Sequence, residues 1–212
     1  HDGSYGRLLE WHTTTGQLRR WAMPMAMLSG NGEELRRILL ENGLTYISTR
    51  PALRSLLCEY ISRSLPGRRV TCAEKTGWHN GVYVLPDEVI GPDGDNVILQ
   101  GSHYLTGGFA QSGTLAEWQE QVAALCAGNS RLVFAVCCAL AAPLLRLTGT
   151  GGGGFHLRGE STDGKTTVMK VAASVCGGTD YWHSWRATGN ALEGIASRHN
   201  DALLPLDELR EV

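Results

Sequence analysis

The stretch GESTDGKT at 159–166 fits the pattern GxxxxGK[ST] and constrains the fold more than any other part of this chain. Such a loop is built between a strand and a helix. Its glycines let backbone N–H groups converge on a phosphate without obstruction by Cβ atoms, and the helix that follows adds the positive end of its dipole. The flanks agree, because FHLRG (155–159) reads as a strand and TVMKVAASVCG (167–177) as a helix. A chance match in a chain of this composition has a probability of roughly 0.6%. The pattern makes Gly159, Ser161, Thr162, Gly164, Lys165, Thr166 and Thr167 candidate nucleotide-binding residues. Lys165 would reach the β- and γ-phosphates of ATP, and the Thr166 hydroxyl suits Mg²⁺, which prefers hard oxygen ligands.

Downstream the pattern alternates. A strand at 182–187 (WHSWRA), a helix at 190–200 and a strand at 202–209 (ALLPLDEL) predict a parallel sheet with crossover helices. Asp207 and Glu208 close that last strand as an acidic pair, 42 residues after Lys165. In a P-loop ATPase one such carboxylate holds the metal and the next polarises the attacking water, which gives Asp207 a metal role and Glu208, with Lys165, a catalytic one. Pro205 sits awkwardly in this strand because it lacks a ladder donor. Arg186 and Asn190 lie at a strand end and receive no role, since an arginine there is ordinarily only solvated.

Before the loop, YGRLLEW (5–11) and QLRRWAMPM (17–25) predict a β-hairpin around HTTTG. Amphipathic helices follow at 33–42, burying Leu35, Ile38 and Leu39, and at 51–65, opened by Pro51. Strands at 70–78, 81–86 and 96–101 are separated by the turn residues His79, Asn80 and Gly81 and by GPDGD. Residues 1–112 thus read as an α+β module. Residues 113–212 read as a helical lead-in and the first half of an α/β core, with Thr114 capping a helix over 115–128 and a second helix over 131–147. The run at 132–145 is 14 apolar residues bounded by Arg131 and Arg146, shorter than the ~18 that span a bilayer, and is expected to be a buried helix. GTGGGG (149–154) is read as a loop and is the main source of the 27 glycines.

Nineteen basic and twenty-one acidic residues exclude a strongly basic nucleic-acid coat. Residues 50–75 carry a local excess of four positive charges, read as a solvated helix face, with DNA phosphates as the alternative partner. Trp78 and Tyr83 are read as core aromatics. Six cysteines without a CxxC pair read as buried thiols of a cytoplasmic protein, and seven scattered histidines give no metal cluster. Since the chain starts at His1 and not Met, a fragment of a longer protein is expected.

Seven strings, YGRLLEW (5–11), RWAMPM (20–25), TGWHNGVYVLP (76–86), LCAGNSRLVFAV (125–136), GGFHLRGESTDGKTT (153–167), WRATGNALEG (185–194) and HNDALLPLDEL (199–209), resemble the bacterial domain of unknown function 927 over nearly the whole chain. That resemblance implies an N-terminal α+β region joined to a helicase-like P-loop ATPase core of the AAA+ or RecA kind, found in prophages and mobile elements and acting in DNA replication. It implies single- or double-stranded DNA as a partner, no membrane, and a ring-shaped homo-oligomer by analogy. It supports Gly159, Gly164, Lys165, Thr166, Asp207 and Glu208 as site residues. Asp163, where a small neutral residue is usual, and Pro205 depart from the P-loop pattern. They keep two alternatives open: a nucleotide-dependent switch, and an inactive prophage remnant that binds ATP without turning it over.

Overall fold

In the computed structural model the described residues are 5–100, 108–160 and 163–208. In chain order the elements are β1 (Gly6–His12), β2 (Leu18–Pro24), α1 (Glu33–Glu41), α2 (Pro51–Arg63), β3 (Thr71–Ala73), β4 (Gly77–His79), β5 (Val82–Val84), β6 (Val89–Ile90) and β7 (Val97–Leu99). There follow α3 (Leu115–Trp118), α4 (Ser130–Leu147), α5 (Lys165–Ala173), β8 (His183–Ser184), α6 (Gly189–Arg198) and β9 (Leu206–Asp207). The fold is mixed α/β, with small sheets of which two pairs, β3–β7 and β8–β9, are parallel. Two compact units are present: His1–Glu74 with Glu88–Leu105, and Lys75–Asp87 with Thr106–Val212. The β4–β5 hairpin, grouped by sequence with the N-terminal module, therefore lies in the second unit.

In the first unit, β1 and β2 pair antiparallel in register from Gly6 opposite Pro24 to His12 opposite Leu18. Period-two alternation puts Trp11, Trp21 and Met23 on the inner face, where they meet Leu35, Ile38 and Leu39 of α1 and Ile61 of α2. Polar bonds fix the helices to the hairpin: the Trp11 indole N–H donates to the Asn42 carbonyl (3.2 Å), and Arg7 Nε to the Ile61 carbonyl (3.3 Å). On the outer face Arg20 pairs with Glu10 across the strands at 2.9 Å.

In the second unit, Asn80 (φ 49°) and Gly81 (φ 86°) supply the two consecutive positive φ values that a tight β4–β5 hairpin turn needs. This hairpin is tied to the turn after α6. Asp201 Oδ2 accepts the Trp78 backbone N–H at 2.9 Å, an Arg146 guanidinium N–H at 3.1 Å and the Asn200 side-chain amide at 3.1 Å. The Tyr83 hydroxyl donates to the Asp201 carbonyl (2.9 Å), buried Thr76 donates to the Arg198 carbonyl (2.7 Å), and Asn200 donates back to the Thr76 carbonyl (3.0 Å). Gly77 is required there: its φ is +94° and a Cβ would fall 2.6 Å from the Asn200 carbonyl oxygen. Trp78 and Tyr83, half-buried and edge-to-face at 5.2 Å, are structural aromatics, with the Trp78 indole N–H on the Pro143 carbonyl.

Several sequence expectations change. The 115–128 helix starts as foreseen, with Thr114 and Glu117 forming a capping box, but α3 passes into a wide-turn segment (Gln119–Ala123) and a tight one (Ala124–Cys126). Helix α4, capped by Asn129, is not buried: only Ala135 and Ala139 are, while Phe134, Leu140 and Leu144 are about half exposed. At 18 residues it is, among the described residues, the one helix long and apolar enough to cross a membrane, by length and composition only. The expected strand at 155–159 does not form; residues 151–160 run irregular and exposed, their backbone finding no ladder, with Phe155 held edge-on against Phe134 at 4.8 Å. Of the cysteines only Cys126 is buried, and Cys137 is exposed. In the 50–75 stretch, Arg63 pairs with Glu59 on the exposed face of α2, and Arg68 donates to the Asp95 carbonyl.

Because the Asp201 carboxylate takes three donors, replacing it leaves those donors unpaired at a largely shielded position. Asp201→Ala is expected to lower unfolding free energy by about 2–3 kcal/mol in urea denaturation, and Asp201→Asn by less. A value for Asp201→Ala within ~0.5 kcal/mol of wild type, the range of ordinary surface changes, would show that the contacts do not hold the hairpin.

Candidate nucleotide site

The phosphate-loop segment enters α5 through Gly164, whose left-handed backbone (φ 78°, ψ 11°) makes the sharp turn into the helix. The N-cap residue is a glycine and so offers no side-chain acceptor to the first turn of this nine-residue helix. Lys165 curls back over the loop: its ammonium donates to the Gly159 carbonyl at 2.7 Å and also to the Glu160 carbonyl. The Asp163 carboxylate accepts the Glu160 N–H at 2.7 Å, packing so close to Gly159 that a Cβ there would lie 2.7 Å from Asp163 Oδ2. Thr166 and Thr167 are exposed in the first turn. Ser161 and Thr162 lie outside the described residues.

Asp207 and Glu208 sit at the end of β9. Pro205 fits because it precedes the strand and joins the ladder through its carbonyl, which accepts the His183 N–H at 3.1 Å. The Trp185 N–H then donates to the Asp207 carbonyl at 2.9 Å, completing the parallel β8–β9 pairing, with α6, capped by Thr188, as crossover. Asp207 Oδ1 accepts the Glu208 N–H (2.8 Å), and Glu208 takes the left-handed conformation (φ 62°). Among the described residues no hydrogen bond or ion pair joins 159–167 to Asp207 or Glu208.

Two residues without an assigned role in the sequence stand beside the acidic pair. Arg186 Nε bonds Glu208 Oε2 at 3.1 Å, and the Ser184 hydroxyl donates to the same oxygen at 3.3 Å. The only sequence signal for them is their place at the end of a strand. Behind β8 lies an aromatic stack: Phe109 and Tyr181 at 5.0 Å, Tyr181 and His199 at 4.9 Å, His183 and His199 at 5.2 Å. Tyr181 is fully buried and donates to the Leu203 carbonyl at 2.7 Å; burial, then the nearby Cys176, pushes its phenol well up. His199 donates through Nδ1 to the Ile195 carbonyl at 2.9 Å, leaving Nε2 buried without a partner, as is Nε2 of His183. Burial pulls both imidazoles below their ordinary value, and Arg198 opposes their protonation further. No group of three or more metal-ligating side chains occurs among the described residues.

The folded state therefore prefers both histidines neutral while the unfolded chain protonates them near pH 6.5, so their contribution is present above about pH 6.5 and is lost as pH falls below it. The melting temperature is expected to be lower at pH 5.5 than at pH 7.5, with a smaller difference in His199→Phe. An equal difference in that variant would remove His199 as a cause.

No curated protein matches the chain. The family described as "Domain of unknown function (DUF927)" matches residues 1–212, and the chain belongs to that family.

Proposed function

We propose that the chain carries the phosphate-binding and metal-binding elements of a P-loop ATPase. What supports this reading is the entry into α5: a left-handed Gly164 at the N-cap of the helix and the Lys165 ammonium folded over the carbonyls of Gly159 and Glu160. A cation and a helix N-terminus are groups that favour an anionic phosphate chain, and the nine-residue helix supplies a dipole. Gly159, Gly164, Lys165, Thr166 and Thr167 would hold the phosphates. Thr166 and Asp207 would hold Mg²⁺, both offering hard oxygen atoms. Magnesium-bound ATP would supply a γ-phosphoryl group for transfer to water, with cleavage of the terminal phosphoanhydride bond and release of ADP and phosphate. In this reading Glu208 would orient that water, and Lys165 would offset charge on the phosphates.

The resemblance to prophage and mobile-element ATPases extends the proposal to a helicase-like motor on DNA. A specific observation favours the nucleotide-dependent switch as the second reading: among the described residues no bond joins the loop to the Asp207–Glu208 pair, and Glu208 is engaged by Arg186. A protein in that condition binds nucleotide more readily than it turns it over.

Titration with a fluorescent ATP analogue, followed by steady-state hydrolysis with and without single-stranded DNA, separates these readings. Lys165→Ala is expected to weaken binding at least tenfold, and Glu208→Gln to leave binding intact while slowing turnover by about 10²-fold. Lys165→Ala binding as tightly as wild type would sink the proposal. Turnover indifferent to DNA would leave the switch.

A further inference from the structure

We propose that the outward face of α4 is a two-fold interface for a second copy of this chain, the two α4 helices lying antiparallel across it. Five residues define the face. Val133, Cys137, Leu140, Leu144 and Leu147 recur at intervals of four, three, four and three, the spacing of the a and d positions of a heptad. All five are apolar and face solvent: the valine and the leucines are between 44% and 58% exposed, and Cys137 is exposed as well. The buried residues of the helix, Ala135 and Ala139, lie on its far side, and α4 packs against α5.

Apolar surface of this extent gains by leaving water. With Phe134 and Phe155, which meet edge-on at 4.8 Å, the face offers on the order of 600 Å² of apolar surface. That lies at the upper end of what a monomer exposes and near the ~800 Å² per partner of a stable interface.

Charge selects the occupant. Arg131 and Arg146 are the only charged residues of α4, both off the seam, and Arg146 is paired with Asp201 at 3.1 Å. The positions flanking the seam, where charges set the choice of a different partner, hold Phe134, Val136, Ala141 and Pro143. A neutral stripe carries no code for a foreign chain and no repulsion against its own copy. Antiparallel pairing opposes the two helix dipoles and places Leu140 of both copies at the axis, with Val133 and Cys137 against Leu147 and Leu144 of the second copy. A bilayer suits the helix less well, because insertion would strip Arg146 from Asp201 and the Pro143 carbonyl from the Trp78 indole. The contact is self-complementary, unlike the head-to-tail interface of a ring, and it does not depend on the nucleotide reading.

Sedimentation equilibrium of the full chain, without nucleotide, is expected to show monomer and dimer exchanging at micromolar concentration. Leu140→Glu sets two carboxylates face to face at the axis and is expected to weaken the dimer on the order of 10²-fold. Its far-UV circular dichroism should match wild type, since position 140 faces solvent in the monomer. Leu56→Glu, at an exposed leucine of α2, should leave the dimer as it is. Alkylation of Cys137 by N-ethylmaleimide, read by peptide mass spectrometry, should be several-fold slower in dimeric wild type than in Leu140→Glu. A wild-type chain that stays monomeric to about 100 µM, or a dimer that Leu140→Glu leaves intact, overturns the proposal. Equal loss of the dimer in Leu56→Glu also overturns it, because the association is then non-specific. Binding of a monomeric chain to phosphatidylcholine vesicles, abolished by Leu140→Glu, assigns the face to a bilayer and overturns the pairing.

Discussion

The carboxylate of Asp201 is the interaction on which the second unit depends. One oxygen gathers a backbone N–H from the β4–β5 hairpin, a guanidinium from α4 and an amide from the α6 turn, and the residue's own carbonyl takes the Tyr83 hydroxyl. These groups come from positions 78, 83, 146 and 200, so one residue ties segments that have no local reason to meet. Charge-assisted bonds to a shielded carboxylate are stronger than neutral ones, and the short strands need them. A two-residue parallel pair such as β8–β9 has little ladder of its own. Fixing the turn just before it holds β9, and hence Asp207 and Glu208, in place.

Around that anchor, the charged groups of the candidate site are satisfied from within the chain. Lys165 rests on loop carbonyls, Asp163 takes a loop N–H, Asp207 takes the next residue's N–H, and Glu208 takes Arg186 and Ser184. Each bond neutralises a group that a phosphate or a metal would otherwise claim, so binding requires exchange of partners. Net affinity is the difference between those two sets of bonds.

The exposed apolar surface of α4 and the irregular run at 151–160 share a cause. Val133, Phe134, Leu140 and Leu144 face solvent, and Phe155 touches Phe134 where a sheet strand was expected. A strand is stable only when its N–H and C=O groups find a ladder, and a four-glycine approach adds entropy to be lost on ordering. The alternation read from 155–159 is real, but no neighbouring strand among the described residues completes it.

Local chemistry was legible in the sequence. The hairpin at β1–β2, the inward Leu35, Ile38 and Leu39, the Asn80 and Gly81 turn, and the cap at Thr114 follow from periodicity, φ preference and side-chain hydrogen bonding over a few residues. So did the helix α5 that opens after Gly164, because its residues favour a helix locally. Burial of the apolar run at 132–145 was not legible, since composition states only that a helix can be covered and not what covers it. The role of Asp201, the pairing of Arg186 with Glu208 and the stack of Tyr181, His183 and His199 were invisible for the same reason. Each joins residues from separate elements, and only the chain's folded path brings them within bonding distance. By itself, then, the sequence determined which short segments turn, cap and bury a face, because those choices are made within one or two turns of backbone. Tertiary structure alone decided which charges meet, because an ion pair or a shared acceptor is set by distance in space and not along the chain.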